Sequence, residues 1–284
     1  MLRQGGGRAD PMRTRSDSAG FLEAVRNCFA DSRKIIASKW LLDETGARLF
    51  EAICRAPDYY IAHAELEILE SSIVTIRDQA GAGAWILQMG DELQDKAQLL
   101  IDRLPKVQGY VPIDAHAGRL AADAERLRAR NPGLVVSPLV QDFGTGLALP
   151  PWLQDKHLLL FMPGGTLCSY SRQEMVLLLE RLADAVPPGT GLLVGVDLKK
   201  GRSVFERAYN SPQMRAFNLN LIDRINGELG GDLDPEAFEH EAIWNPQRER
   251  VEVYVVSTRA QVVTIAGQRF RLAAGERIQT ERSH

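Results

Sequence analysis

A chain of 284 residues that is 45% hydrophobic can bury one large core or two modest ones. Its formal net charge of −3, without a run of Lys and Arg, argues against a nucleic-acid or anionic-lipid partner. Its three cysteines (Cys28, Cys54, Cys168) lie far apart with no metal-ligand spacing, and no apolar run reaches about 18 residues, so neither a disulfide framework, a zinc site nor a membrane span is expected.

The first stretch, 1–20, has basic and glycine residues but no apolar core. It is not a secretory signal and reads as a flexible tail, which predicts a cytoplasmic protein. From Phe21 to about Ala37 apolar residues recur at helical spacing. LLDETGARLFEAICRAPDYY (41–60) reads as a turn and then a helix with Leu49, Phe50 and Ile53 inward, stopped before Pro57. AELEILESSIVTIRDQA (64–80) reads as one further helix, closed by GAGA. The pattern then changes to strands alternating with helices. AWILQM is a strand, 94–104 a helix, GYVPIDA a strand, and AGRLAADAERLRARN a helix ended by Asn131-Pro132. LVVSPLVQDF is a third strand and KHLLLFMPGG a buried fourth. SRQEMVLLLERLADAV is a helix with Ser171 as N-cap and Glu174 three residues on, and GTGLLVGVDL is a fifth strand. This rhythm over 84–198 predicts an α/β fold with a parallel, doubly wound sheet. After Lys200 it breaks. Two helical pieces divide at Ser211-Pro212, and period-two alternation from 241 onward predicts antiparallel strands, with VEVYVVST and AQVVTIAG paired as a hairpin. The expected organisation is a tail (1–20), a helical part (21–72), a Rossmann-like core (73–200) and a C-terminal part (201–284). The second and last pieces are expected to pack together as an α+β lobe.

In open α/β sheets ligands bind beyond the C-terminal strand ends. There the chain places Gly90 in GDELQDK, Asp114 in PIDAH, Asp142 and Phe143 in VQDFG, then MPGGTLCSYS, and Asp197 in VDLKK. An acid after the second strand can hold a ribose diol. Asp-Phe after the third can hydrogen-bond an adenine amine and stack on its ring. Each acid taken alone reads more readily as a helix cap or loop residue; three at the right strand ends bring the two readings level. With no GxGxxG and no GxxxxGK[ST], an adenosyl ligand without phosphates fits better than NAD or ATP, and a dinucleotide-dependent oxidoreductase is disfavoured.

KWLLDETGARLFEAICRAPDYY (39–60) closely resembles a signature of the histidine Nα-methyltransferase family of ergothioneine biosynthesis, roughly K-[WY]-F-Y-D-x-x-G-x-x-L-F-x-x-I-x-x-L-P-E-Y-Y. The likeness recurs at YVPIDA, QDF, FMPGGTL, VDLKK and RAYN, through 216–255, and at AAGERIQTERS, so it is collinear over about 20–284. The resemblance implies a Rossmann-type methyltransferase sheet and a substrate lobe made from the N-terminal segment and the region after the fifth strand. It also implies S-adenosylmethionine as cofactor and a small-molecule amino acid or amine as acceptor.

The family loop E-L-G-S-G-T-x-x-K matches at Gly90 and Lys96; Gln88 stands for the leading acid, and Glu92, after Asp91, for the second glycine. A glycine there lets backbone approach a ligand, whereas Glu adds bulk and charge. Asp114 matches the ribose residue and Asp142-Phe143 the adenine residues. Tyr60, Glu281 and Ser283 match residues that hold an imidazole, and Tyr209 a carboxylate-binding tyrosine. Ser169 stands where the family has a carboxylate-binding asparagine, Leu42 where it has a tyrosine near the reacting amine, and Val253 where it has a pocket methionine. The implied activity is N-methylation of a histidine-like amino acid or small derivative, with no residue singled out as catalyst because positioning supplies much of the rate. The alternative, resting on Gln88, Glu92, Ser169, Leu42 and the shorter C-terminus, is a catalytically inactive binding or scaffold subunit. The family chain continues several tens of residues past the segment matching TERSH. The sheet is therefore expected to keep one open edge, covered by a second copy or a partner.

Overall fold

The computed structural model describes residues 11–90 and 94–284, with side chains for 18–90 and 95–284. Its parallel sheet contains β1 (Trp85–Met89), β2 (Gly109–Asp114), β3 (Val135–Val136), β4 (Leu139–Val140), β5 (Leu158–Met162) and β6 (Gly191–Val194). The order is β3-β2-β1-β5-β6, with β4 also pairing with β2. β5 reads LLLFM and is buried throughout, as a central parallel strand covered on both faces requires. The expected single third strand is two short ones, because Pro138 has no N–H to give the ladder. Strand order reverses between β1 and β5, which opens a crevice beyond their C-terminal ends.

One face of the sheet packs Ile86, Tyr110 and Phe161 under α4 (Ile73–Ala80), α5 (Gln94–Arg103) and α6 (Ala117–Arg130), through Ala80, Leu100 and Leu127. The other packs Leu87, Val111 and Leu160 under Leu178 and Leu182 of α7 (Arg172–Ala185). Ser171 and Glu174 close a capping box at the start of α7. No strand among the described residues lies outside β6, where Leu192, Val196 and Leu198 are exposed.

A second lobe joins both parts of the chain. Its first part holds α1 (Pro11–Ala30), a 3-10 turn (Ser38–Leu41), α2 (Glu44–Arg55) and α3 (Tyr60–Ser71). Its second holds α8 (Arg202–Tyr209), α9 (Pro212–Leu229) and β7 (Phe238–Asn245) to β11 (Arg277–Ser283). Phe21, Val25, Leu41 and Ile53 share one core with Phe217, Leu221, Ile225, Val255 and Phe270.

Three local expectations change. α1 begins at Pro11 rather than Phe21, since proline is tolerated in a first helical turn and no breaker follows before Gly20; residues 1–10 lie outside the described residues. The helix over 64–80 is interrupted at Ser72, giving α3 and α4. β8 (Arg250–Ser257) does not pair with β9 (Gln261–Ile265). β8 is the centre of β11-β8-β7, and β9 forms a hairpin with β10 (Gln268–Leu272) through Ala266-Gly267. Both turn residues have positive φ, 47° and 78°, the signature of a tight two-residue hairpin.

β11 carries one irregularity that matters below. Gln279 faces Tyr254 on β8 and Glu281 faces Val253, so Thr280 is an extra residue in the ladder. No described helix is long and apolar enough to cross a membrane.

Candidate active site

A cavity of about 420 Å³ lies at the strand ends and is closed from the other lobe by the 35–42 segment and β11. Gly90, Asp114, Asp142, Phe143, Ser169 and Glu281 all line it.

Gly90 ends β1 at φ 99°, and a Cβ there would lie 2.4 Å from Thr166 Oγ1. Both the dihedral and the contact demand glycine. Asp91 and Glu92 lie outside the described residues. Gln88, just before, is buried, and its Oε1 has no hydrogen-bond partner among the described residues. Asp114 ends β2. Its Oδ1 accepts from the His116 backbone N–H at 2.7 Å and faces His116 Nδ1 at 3.1 Å, and its Oδ2 accepts from Arg119 Nη2 at 2.9 Å. Burial lowers the Arg119 guanidinium to about 10. Asp142 follows β4; its Oδ2 accepts from Lys39 Nζ at 2.6 Å and its Oδ1 from the Gly144 N–H at 3.1 Å. Both acids therefore reach the cavity already oriented, Asp142 by a lysine of the other lobe.

Lys96 does not line this cavity. It is buried on α5 and ion-paired with Glu65 of α3, whose Oε2 also accepts from the Gly164 N–H at 2.7 Å. The arrangement ties α5, α3 and the loop after β5 together.

The residues matched to an amino-acid acceptor form a group on the second lobe's side. Glu281 lines the cavity, and desolvation pushes its carboxyl up to about 7. Behind it Tyr209 is buried, shares a hydrogen bond with Ser283, and faces Glu281, Tyr60 and Asp197. Tyr209 packs edge-on against Tyr59 at 6.0 Å. The Tyr60 hydroxyl donates to Asp197, and Lys200 sits over its ring at 4.7 Å. Burial, then Asp197, holds the Tyr60 phenol far above its ordinary range, so its oxygen keeps its proton and can accept only through its remaining lone pairs. Ser169 closes the short 3-10 turn Thr166–Ser169, and its carbonyl accepts from Arg282 Nε at 3.0 Å. Leu42 lines both this cavity and a neighbouring cleft of about 880 Å³ between α2 and α6. Val253 is buried directly across the ladder from Glu281.

Sequence reasoning passed over Lys39, Glu65, His116 and Arg119. Two stood inside quoted motifs, KWLLD and PIDAH, but nothing in a linear motif says which side chain grips an acid from another element. No group of His, Cys, Asp and Glu among the described residues is arranged to hold a metal ion.

Comparison with known proteins agrees with this geometry. The profile of the histidine-specific, S-adenosylmethionine-dependent methyltransferases matches residues 21–284. The histidine N-alpha-methyltransferase of Mycolicibacterium smegmatis is 32% identical over 264 residues, covering 90% of this chain and 81% of that protein. That of Mycobacterium tuberculosis is 31% identical over 275 residues, covering 93% and 85%. An N-methyltransferase of Aspergillus fumigatus is 25% identical over 268 residues, covering 91% and 72%. A match that takes in both lobes and every strand of the sheet leaves one assignment: the chain belongs to the family of histidine-specific, S-adenosylmethionine-dependent methyltransferases.

Proposed function

We propose that the chain methylates the α-amine of a histidine-like amino acid, with S-adenosylmethionine as donor. The observation that carries this reading is that Asp114, Asp142 and Phe143 share one cavity with Glu281. Two of the relatives are named histidine N-alpha-methyltransferases and a third an N-methyltransferase.

The described residues fit the cofactor. Asp114 would hold the ribose diol, Asp142 and Phe143 the adenine, and Gly90 keeps backbone free of a side chain where β1 meets Thr166. When bound, S-adenosylmethionine supplies a methyl group on a sulfonium sulfur. The chain itself supplies position and desolvation. By the resemblance, Tyr209 would take the acceptor's carboxylate and Ser283, bonded to Tyr209 behind Glu281, would help to hold its imidazole. Glu281, once ionised, accepts from an imidazole N–H; its elevated value of about 7 makes that grip strengthen as pH rises through neutrality. Tyr60, fixed as a donor to Asp197, presents lone pairs to a substrate N–H. The amine must arrive with its lone pair free, and Leu42 offers no hydroxyl to assist it. A cytoplasmic setting belongs to the same reading, where both small molecules are at hand.

Calorimetric titration with S-adenosylmethionine, followed by mass spectrometry of a panel of amino acids, tests the proposal. The expected result is cofactor binding and methylated histidine or a close analogue. No binding up to millimolar cofactor would instead establish a non-catalytic relative that keeps the fold.

A further inference from the structure

Between α9 and the β7-β8-β11 sheet lies a fully buried polar network that the reaction does not use. Asn218 on α9, His240 on β7 and Thr280 on β11 are each at most 5% exposed. The direction of every bond in it is forced. His240 Nε2 lies 2.8 Å from the Tyr209 carbonyl, which can only accept, so Nε2 carries the proton. The Asn218 amide nitrogen donates to the Tyr254 carbonyl at 2.8 Å and to His240 Nδ1 at 3.0 Å, so Nδ1 is bare. Asn218 Oδ1 accepts from Thr280 Oγ1 at 2.6 Å, and that hydroxyl also lies 3.3 Å from the Val253 carbonyl. The imidazole is therefore neutral and in one tautomer. Burial favours the neutral ring, as does Arg215; the Tyr209 carbonyl and Glu241 oppose them.

The network starts at the backbone of Tyr209 and ends at the residue before Glu281. Thr280 is also the extra residue in the β11 ladder. A bulge re-aims the side chains around it, and here the four consecutive residues from Gln279 to Arg282 all contribute to the cavity wall, with the Thr280 side chain turned into the buried network. We propose that His240 and Asn218 are positioning residues for the acceptor: they pin the bulge at Thr280, and so set where Glu281 stands relative to Tyr209. The proposal rests on the function above for its meaning, but not for its test.

Three measurements decide it. In the wild-type protein, 15N NMR of His240 should show Nε2 protonated, Nδ1 bare and no titration between about pH 5 and 8. In Thr280→Val, which keeps shape and removes the donor to Asn218, the Glu281 carboxyl followed by 13C NMR should titrate well below about 7, toward the ordinary carboxylate range. In the same variant KM for the acceptor should rise about 10-fold, the scale of one lost hydrogen bond, with kcat at saturation and cofactor affinity within about 2-fold. Val263→Ala, a core change on β9, serves as the control that lowers thermal stability without touching KM. If Thr280→Val does not fold, Asn218→Asp replaces it. There the new carboxylate faces Nδ1 and should make His240 doubly protonated, with the same rise in KM. A Glu281 titration that does not move, or equal KM effects in Thr280→Val and the control, would reduce the network to ordinary stabilisation. If the wild-type protein transfers no methyl group, the two NMR readings still stand on their own, so failure of the function and failure of the network are told apart.

Discussion

Glu281 serves two opposed ends. Its carboxyl sits at about 7 against an ordinary 4.5 because the cavity desolvates it. The folded state thus holds that proton more tightly than the unfolded state does. The stability this confers is present below about pH 4.5 and is lost as pH rises through about 7. Glu281→Gln should remove the dependence and stabilise the protein at pH 8 by on the order of 1–3 kcal/mol, while weakening an imidazole-bearing acceptor. Thermal melts at pH 5 and pH 8, wild type against variant, check the sign. The resemblance pointed to Glu281 and Asp114 as site residues, and both line the one cavity. Their supports were not. Arg119 grips Asp114 from the first turn of the next helix, and Lys39 grips Asp142 from the far lobe, contacts that no spacing rule encodes. Thr280 was hidden for a different reason: a period-two reading of IQTERS assumes regular alternation, and the bulge suspends it.

At the level of elements, the parallel sheet followed from hydrophobic runs and βα rhythm alone, because five buried residues in a row such as LLLFM have few other solutions. Strand partners in the antiparallel part did not. Alternation says which face is buried and is silent on the neighbour, so β8 and β9, adjacent in sequence, were matched although each pairs elsewhere. The β1 terminus offers a sharp test of element geometry. Gly90→Ala places a Cβ against Thr166 in a left-handed conformation, and should cost about 1–3 kcal/mol in stability and at least about 10-fold in cofactor affinity. Adding Thr166→Ser should recover little, since it leaves both the Oγ1 contact and the dihedral. Calorimetry on the two variants distinguishes these terms. The edge of β6 has no neighbouring strand among the described residues, and with Leu192 half exposed it offers a ladder to another chain. Sedimentation should show association that rises with concentration and disappears in Leu192→Lys; a monomer at every concentration would refute it.

At the scale of the whole molecule, the buried Lys96–Glu65 pair couples the lobes, and its position explains why a lysine in the cofactor loop motif faces away from the cavity. Lys96→Met leaves a desolvated carboxylate without its cation and should destabilise by about 3–5 kcal/mol. Lys96→Met with Glu65→Gln should regain most of that loss in a denaturant titration, as a double-mutant cycle would register. The chain's path has a consequence in time. The sheet's strands lie within residues 85–194, whereas the second core joins Phe21 and Val25 to Phe270, and Arg26 donates to the Ala266 carbonyl at 3.3 Å. On a ribosome adding about 5–20 residues per second, the amphipathic segments made first wait on the order of 10–50 seconds for the strands that cover them. During that interval the sheet can close while α1 and α2 have no apolar partner from the chain's end. The nascent protein is thus a folded domain trailing an unsatisfied one, and its yield in a cell should depend on chaperones that shield the early helices far more than on the stability of the finished enzyme.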